Sequence, residues 1–132
     1  MRYDLDTKLV TTFPNLYGDR TAPMDQTAMC WGFECGNGWF DLIWDLSKKL
    51  EAHIMEMPEE LRGNCRAMQV KEKYGSLTFY LTGATPEMDD LIDKAELISL
   101  MICEECGKPG ETRGYNWVYT ACDEHTRGGS IP

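Results

Sequence analysis

No stretch of this chain approaches the ~20 consecutive apolar residues that a membrane-spanning helix needs, so no helical span is expected. The opening residues, Met1-Arg-Tyr-Asp-Leu-Asp, lack the apolar segment of a secretory signal, and none is expected there. Basic residues are scarce: 13 Lys and Arg stand against 22 Asp and Glu, for a formal charge of −9. Binding a phosphate backbone needs a basic footprint, so nucleic acid is a disfavoured partner. Residues 1–60 hold eleven acids and five bases, and residues 61–132 hold eleven and eight, so the acidity is heaviest in the first half. Such a surface either stays solvated or attracts a basic protein face. Internal repeats and low-complexity tracts are missing as well.

What is present is concentrated in the last quarter. Cys103-Glu-Glu-Cys106 is followed by fifteen residues and then Cys122-Asp-Glu-His125. Each half-site has a two-residue spacer, and together they supply three sulfurs and one imidazole. That is the donor set of a tetrahedral structural zinc site, closed and without an open position for a substrate. The competing readings are a disulfide or chance spacing. Zinc held by three thiolates and a neutral His would bring the charge to −10, that is −9 − 3 + 2. The three other cysteines, Cys30, Cys35 and Cys65, are odd in number and irregular in spacing, which fits a reducing cytoplasm better than a disulfide scaffold.

The apolar pattern predicts an α+β fold. Residues 2–12 read as a short helix with Leu5, Leu9 and Val10 on one side, ended by Phe13-Pro14. Residues 14–38 are irregular, with Leu16, Tyr17, Met24, Met29, Trp31 and Phe33 as apolar anchors. Residues 39–57 form the clearest helix, with Phe40, Ile43, Trp44, Leu50, Ile54 and Met57 at helical steps, and Pro58 as its stop. Residues 65–73 and 77–82 read as a β-hairpin turning at Lys73-Tyr74-Gly75-Ser76. Residues 86–102 form a second main helix, capped by Thr85 with Pro86 in its first turn. Its buried stripe is Met88, Leu91, Ile92, Ala95, Ile98, Ser99 and Ile102. From Leu97 to Ile102 it is apolar almost all round, so the zinc module is expected to pack against its end. Tyr115, Trp117 and Tyr119 alternate on an expected strand between the half-sites, all on one face. The expected division is an α+β domain over 1–102 and a zinc-binding module over 103–132 packed on it.

Other constellations carry less. Cys30, Cys35, His53 and Cys65 could form a second metal site or a Cys–His pair, but no third orienting group is identifiable, and buried thiols are the default. The turn Gly36-Asn37-Gly38 has the look of an anion-binding loop but no P-loop lysine, and reads as a tight turn that lets Trp39 and Phe40 dock. Arg62, Arg66, Lys71 and Lys73 are the only basic cluster; strand alternation sends Arg66 to one face and Lys71 and Lys73 to the other. Glu104-Glu105 and Asp123-Glu124 inside the cage loops oppose use of the cage against phosphate.

Three segments together resemble a known group: Cys35-Gly-Asn-Gly-Trp-Phe40 entering a helix, Val70-Lys-Glu-Lys-Tyr-Gly-Ser-Leu-Thr-Phe-Tyr80, and Ala95-Glu96 followed by Cys-x-x-Cys and Cys-x-x-His. Over residues ~30–127 they are similar to a family of small proteins of unassigned function encoded by tailed phages and prophages. The resemblance implies phage origin, action in the cytoplasm of a bacterial host, and a zinc-ribbon-like C-terminus, and it brings no catalytic residues.

The expectation is therefore a non-enzymatic phage accessory protein with one structural Zn2+. It would bind, and thereby inhibit, a host protein of defence or nucleic-acid processing. The metal ligands are Cys103, Cys106, Cys122 and His125. The candidate interface is Tyr115, Trp117 and Tyr119 with Asp41, Asp45, Asp89, Asp90 and Asp93; Glu51, Glu56 and Glu87 are further acids of the same helices. The pattern allows a homodimer. The alternative is a zinc-ribbon protein that binds nucleic acid or serves transcription; an enzyme built on Cys35 or on carboxylates ranks below it.

Overall fold

A computed structural model describes residues 1–127. Its elements are α1 (Tyr3–Thr12), β1 (Phe33–Glu34), α2 (Phe40–Met55), β2 (Arg66–Lys73), β3 (Ser76–Thr82), α3 (Pro86–Ser99), β4 (Glu111–Arg113) and β5 (Tyr119–Ala121). The fold is α+β. One sheet has the order β1-β2-β3, with β1 parallel to β2 and β2 antiparallel to β3, and β4 and β5 pair as a separate ribbon. No helix among the described residues is long and apolar enough to cross a membrane.

The core lies between one face of the sheet and the helices. Phe33, Val70 and Phe79 are cross-strand neighbours, and all three are buried with Ala67 and Leu77. Against them pack Trp39, Ile43, Leu46, Leu50 and Ile54 from α2 and its approach, and Met88, Ile92 and Ala95 from α3. The three- and four-residue spacing of these positions is what turns one helix face inward. Residues 13–17 are pinned to α2 by Glu51, whose carboxylate accepts from the Leu16 N–H at 2.8 Å and the Asn15 side chain at 3.1 Å. Glu51 is thus an internal clasp and not part of an acidic outer face.

The hairpin turns as the sequence predicts. Tyr74 and Gly75 both have positive φ, 54° and 83°, the signature of a primed turn that matches strand twist. The outer edge of β3 is closed by α3: Ser99 Oγ accepts from the Leu77 N–H at 2.9 Å and the Glu96 carboxylate from the Phe79 N–H at 3.0 Å. Edge donors satisfied in this way cannot recruit another strand.

Several expectations are corrected. Met24 and Trp31 are exposed, not anchors, whereas Leu16, Tyr17, Met29 and Phe33 are buried. Both main helices are shorter than their apolar patterns: Asn37–Trp39 forms a separate 3-10 turn before α2, and α3 stops at Ser99. Leu97, Ile98 and Met101 are exposed, so the end of the pattern is not covered all round; the C-terminal module meets the segment just past α3, with the Gly110 N–H donating to the Met101 carbonyl at 2.9 Å and Ile102 bridged to Pro109. A bulge at Met68 also breaks the alternation of β2, since Ala67 pairs with Leu81 while Gln69 pairs with Tyr80. One extra residue reverses the parity beyond it, so Arg66 shares a face with Lys71 and Lys73.

Candidate metal centre

The cage residues come from two turns. Beyond α3 the chain crosses Ile102, bridged to Pro109, and Cys103 begins a tight knuckle closed by the Gly107 N–H donating to the Cys103 carbonyl at 2.9 Å. The ribbon β4-β5 then returns the chain, and a 3-10 turn, Asp123–His125, presents the second pair. The Sγ atoms of Cys103, Cys106 and Cys122 and a ring nitrogen of His125 lie within 4.8 Å of one another. Cys106 and Cys122 Sγ are 3.7 Å apart, and His125 Nδ1 is 3.7 Å from Cys103 Sγ and 3.1 Å from Cys122 Sγ. A tetrahedral zinc with ~2.3 Å bonds to sulfur sets its sulfurs about 3.8 Å apart, so the cluster has the dimensions of a metal cage. His125 draws the Cys122 thiol down to about 7, toward the thiolate a metal requires. Cys103 and Cys122 are buried, His125 half-buried and Cys106 exposed. Four protein donors leave no open position, so the arrangement suits a structural ion.

Supporting bonds hold the loops. Arg113 donates from Nε to the Ala121 carbonyl at 2.9 Å and from Nη2 to Asp123 Oδ1 at 2.8 Å, tying β4 to the second turn. The Arg127 guanidinium lies 4.3 Å from the centroid of the Tyr119 ring.

The cage is docked on the Gly36-Asn37-Gly38 turn. The Gly38 N–H donates to the Glu104 carbonyl at 2.7 Å, the Gly36 N–H to Glu104 Oε2 at 2.8 Å, and Trp39 Nε1 to the Ile102 carbonyl at 2.9 Å. A methyl group on Gly36 would meet the Glu104 carbonyl oxygen at 2.3 Å, and one on Gly38 would meet the Cys103 carbonyl oxygen at 2.2 Å. Only glycine permits that approach. The turn therefore lets Trp39 dock, as predicted, and is also the seat of the metal knuckle. On the other side the Thr120 hydroxyl donates to the Gly75 carbonyl at 2.6 Å, so the sheet hairpin holds the module too.

Glu104 is the residue that spacing alone misread. It is buried, its second carboxylate oxygen faces Arg127 Nη2 at 4.0 Å, and burial pushes its carboxyl above the ordinary range. It is a docking residue, not a solvent-facing acid; of the four cage-loop acids, Glu105, Asp123 and Glu124 stay exposed. The signal in the sequence was the pair of glycines at 36 and 38, which demanded a close neighbour without naming it.

The interface candidates divide. Tyr115 and Trp117 are 72% and 71% exposed, at the turn joining β4 and β5, but Tyr119 is 2% exposed. The expected strand over all three does not form; β5 starts only at Tyr119, so Tyr119 leaves the interface set. Asp41, Asp45, Asp89, Asp90 and Asp93 are all exposed, Asp45 pairing with Lys49 at 2.9 Å. The second cysteine constellation does not assemble: among the described residues the only group of at least three metal-ligating side chains is the cage. Cys35 is buried, and burial, then Glu104, pushes its thiol up to about 12, away from the thiolate form. Cys65 is buried against Met88 Sδ at 3.5 Å. No protein-family model, no curated protein and no solved structure matches this chain.

Proposed function

We propose that this chain is a non-enzymatic accessory protein of phage or prophage origin, built around one structural Zn2+. It acts in the cytoplasm of a bacterial host by covering, and so inhibiting, a surface of a host protein of defence or nucleic-acid processing. The observation that carries the reading is the outer surface of α2 and α3. Asp41, Asp45, Asp89, Asp90 and Asp93 stand in the open there, and among the described residues only Asp45 has a cation within 4.0 Å. Acidic faces of this kind favour a basic protein partner by complementarity and speed its encounter. Tyr115 and Trp117, exposed on a ribbon stapled by the cage, supply the aromatic anchors such an interface uses. Zinc is the ion chosen because three thiolates and an imidazole at these separations match its preferences.

The test is a pull-down with the tagged, zinc-loaded protein from nuclease-treated bacterial lysate, followed by affinity measurement on the captured protein. Asp89→Asn/Asp90→Asn/Asp93→Asn and Trp117→Ala are each expected to weaken binding at least about tenfold, the scale of an interface hot spot. Wild-type affinity in both variants would overturn the reading.

A further inference from the structure

The bulge at Met68 creates a surface that regular alternation would not. Residues paired across β2 and β3 share a face, and the register pairs Arg66 with Thr82, Gln69 with Tyr80, Lys71 with Thr78 and Lys73 with Ser76. All of these therefore point away from the core, which takes Ala67, Val70, Leu77 and Phe79. Arg66 is engaged, with Nε 2.9 Å from Asp19 Oδ1 and Nη1 donating to the Gly63 carbonyl. Lys71 and Lys73 have no carboxylate within 4.0 Å among the described residues. Glu34 borders the face on β1 and is held by Gln69 Nε2 at 3.4 Å. Two unpaired lysines on one patch depart sharply from a chain of net charge −9.

Aromatic rings accompany them. Tyr80 is 49% exposed in the middle of β3, diagonal to Lys71, and Tyr74 is 77% exposed at the turn, with Lys73 Nζ 5.8 Å from its ring centroid. Val118 and Thr120 of the metal module abut Gly75, which brings the exposed Trp117 to the same end of the molecule. From Tyr80 to the turn the strand covers about 13 Å at ~3.3 Å per residue, room for two or so nucleotides.

We infer that this sheet face binds single-stranded nucleic acid, with Tyr80 and Tyr74 stacking on bases and the Lys71 and Lys73 ammonium groups on phosphates. Rings beside cations on an open sheet are the elements of a stacking platform. A duplex offers no unstacked base to such rings, and two free cations are too few to hold its backbone. A carboxylate-rich peptide would use the lysines but leave the rings without a stacking partner. The acids of α2 lie on the core side of the sheet, whereas α3 flanks the β3 edge, where Ser76 Oγ donates to the Glu96 carbonyl at 3.4 Å and Asp93 and Glu96 line the same depression as Ser76. Their repulsion is screened over about 8 Å at physiological ionic strength and reaches farther at low salt. The inference goes beyond the protein-binding reading and stands without it, since Lys71, Lys73, Tyr74 and Tyr80 lie outside that interface and only Trp117 is shared.

The experiment is fluorescence polarisation with the zinc-loaded full chain and labelled oligothymidylate and oligouridylate of about 15 nucleotides. A duplex and an oligoglutamate peptide of matching length serve as competitors. Single strands are expected to bind below ~100 µM at low salt, with log K falling by about 1.4 per decade of salt for two phosphates neutralised. Lys71→Glu/Lys73→Glu should weaken binding at least about tenfold, and Tyr80→Ala about fivefold to 100-fold, with Tyr80→Phe restoring it because the ring is what stacks. Asp89→Asn/Asp90→Asn/Asp93→Asn should leave it unchanged or slightly tighter. The inference is overturned by no binding at ~100 µM, by oligoglutamate or duplex competing as well as the single strand, or by indifference to the lysine and Tyr80 variants.

Discussion

Gly38→Ala tests the docking of the metal knuckle most directly. Gly38 is not in the left-handed region, so alanine is compatible with its backbone, and only space forbids the methyl group. That group would sit 2.2 Å from the Cys103 carbonyl oxygen, 2.5 Å from the Gly107 nitrogen and 2.6 Å from the Glu104 carbonyl oxygen. All three are backbone atoms of the knuckle, so no flexible side chain can swing aside. Relief requires the knuckle to move off α2's approach, which costs about 1–3 kcal/mol in strain. It also loses the Gly38 N–H bond to Glu104, about 1 kcal/mol, and weakens the Gly36 bond to the Glu104 carboxylate, about 1.5–3 kcal/mol. With about half of the Gly36 bond retained the total is roughly 3–5.5 kcal/mol, a large share of the 5–15 kcal/mol that keeps a domain folded. For a chain of this size that is a fall in Tm of roughly 10–20 °C. The assay is thermal unfolding by circular dichroism on zinc-loaded protein, with metal release followed by a chromogenic chelator. Gly63→Ala is the control, because nothing lies within 4 Å of a methyl group there, and it should stay within about 0.5 kcal/mol of wild type. A Gly38→Ala protein that melts within about 2 °C of wild type and holds its metal as tightly would refute the docking argument.

Two further outcomes are expected. Cys106 is exposed, so its side chain contributes little packing, and Cys106→Ser can act strongly only through the metal. Folding free energies carried by structural zinc run to about 10–16 kcal/mol in small modules, so this variant and chelator-treated wild type should both lose the cooperative melt of the C-terminal region; a wild-type melt would show that the cage is not structural. The second concerns pH. Burial, and then the nearby Asp93, raise the Glu96 carboxyl above its ordinary value of 4.5. A raised folded-state value means that the neutral form is favoured on folding, so this contribution is full below the ordinary value and is lost as pH rises through the folded one. Glu96→Gln keeps an acceptor for the Phe79 N–H and removes the charge, so it should raise Tm at pH 7 with the gain vanishing below about pH 4. A gain that grows on acidification would contradict the sign.

Much of the architecture was legible because it is local. The helix around Ile43, Leu50 and Ile54, the Tyr74-Gly75 turn and the Thr85-Pro86 start each rest on residues within a few positions of one another. So does the ligand set, since a two-residue spacer lets a knuckle turn both donors toward one ion. Ends were less legible: α3 stops at Ser99 although the apolar pattern runs on to Ile102, which leaves the helix to bridge Pro109, a residue beyond the reach of any helical period. β1 is two residues long and pairs in parallel with a strand far along the chain, so no period announces it.

By itself, the sequence determined the donor set of the metal centre, the turn and helix starts, and the acidic balance of the surface. These follow from short spacings and from composition, which survive in any arrangement of the elements. Only the tertiary structure decided that Tyr119 is buried while Tyr115 and Trp117 are exposed, and that Glu104 is swallowed by the Gly36–Gly38 turn. It alone showed that one extra residue at Met68 carries Arg66 onto the face of Lys71 and Lys73. Each of these depends on what a distant segment places opposite the residue, and a bulge reverses facing without changing a single amino-acid type.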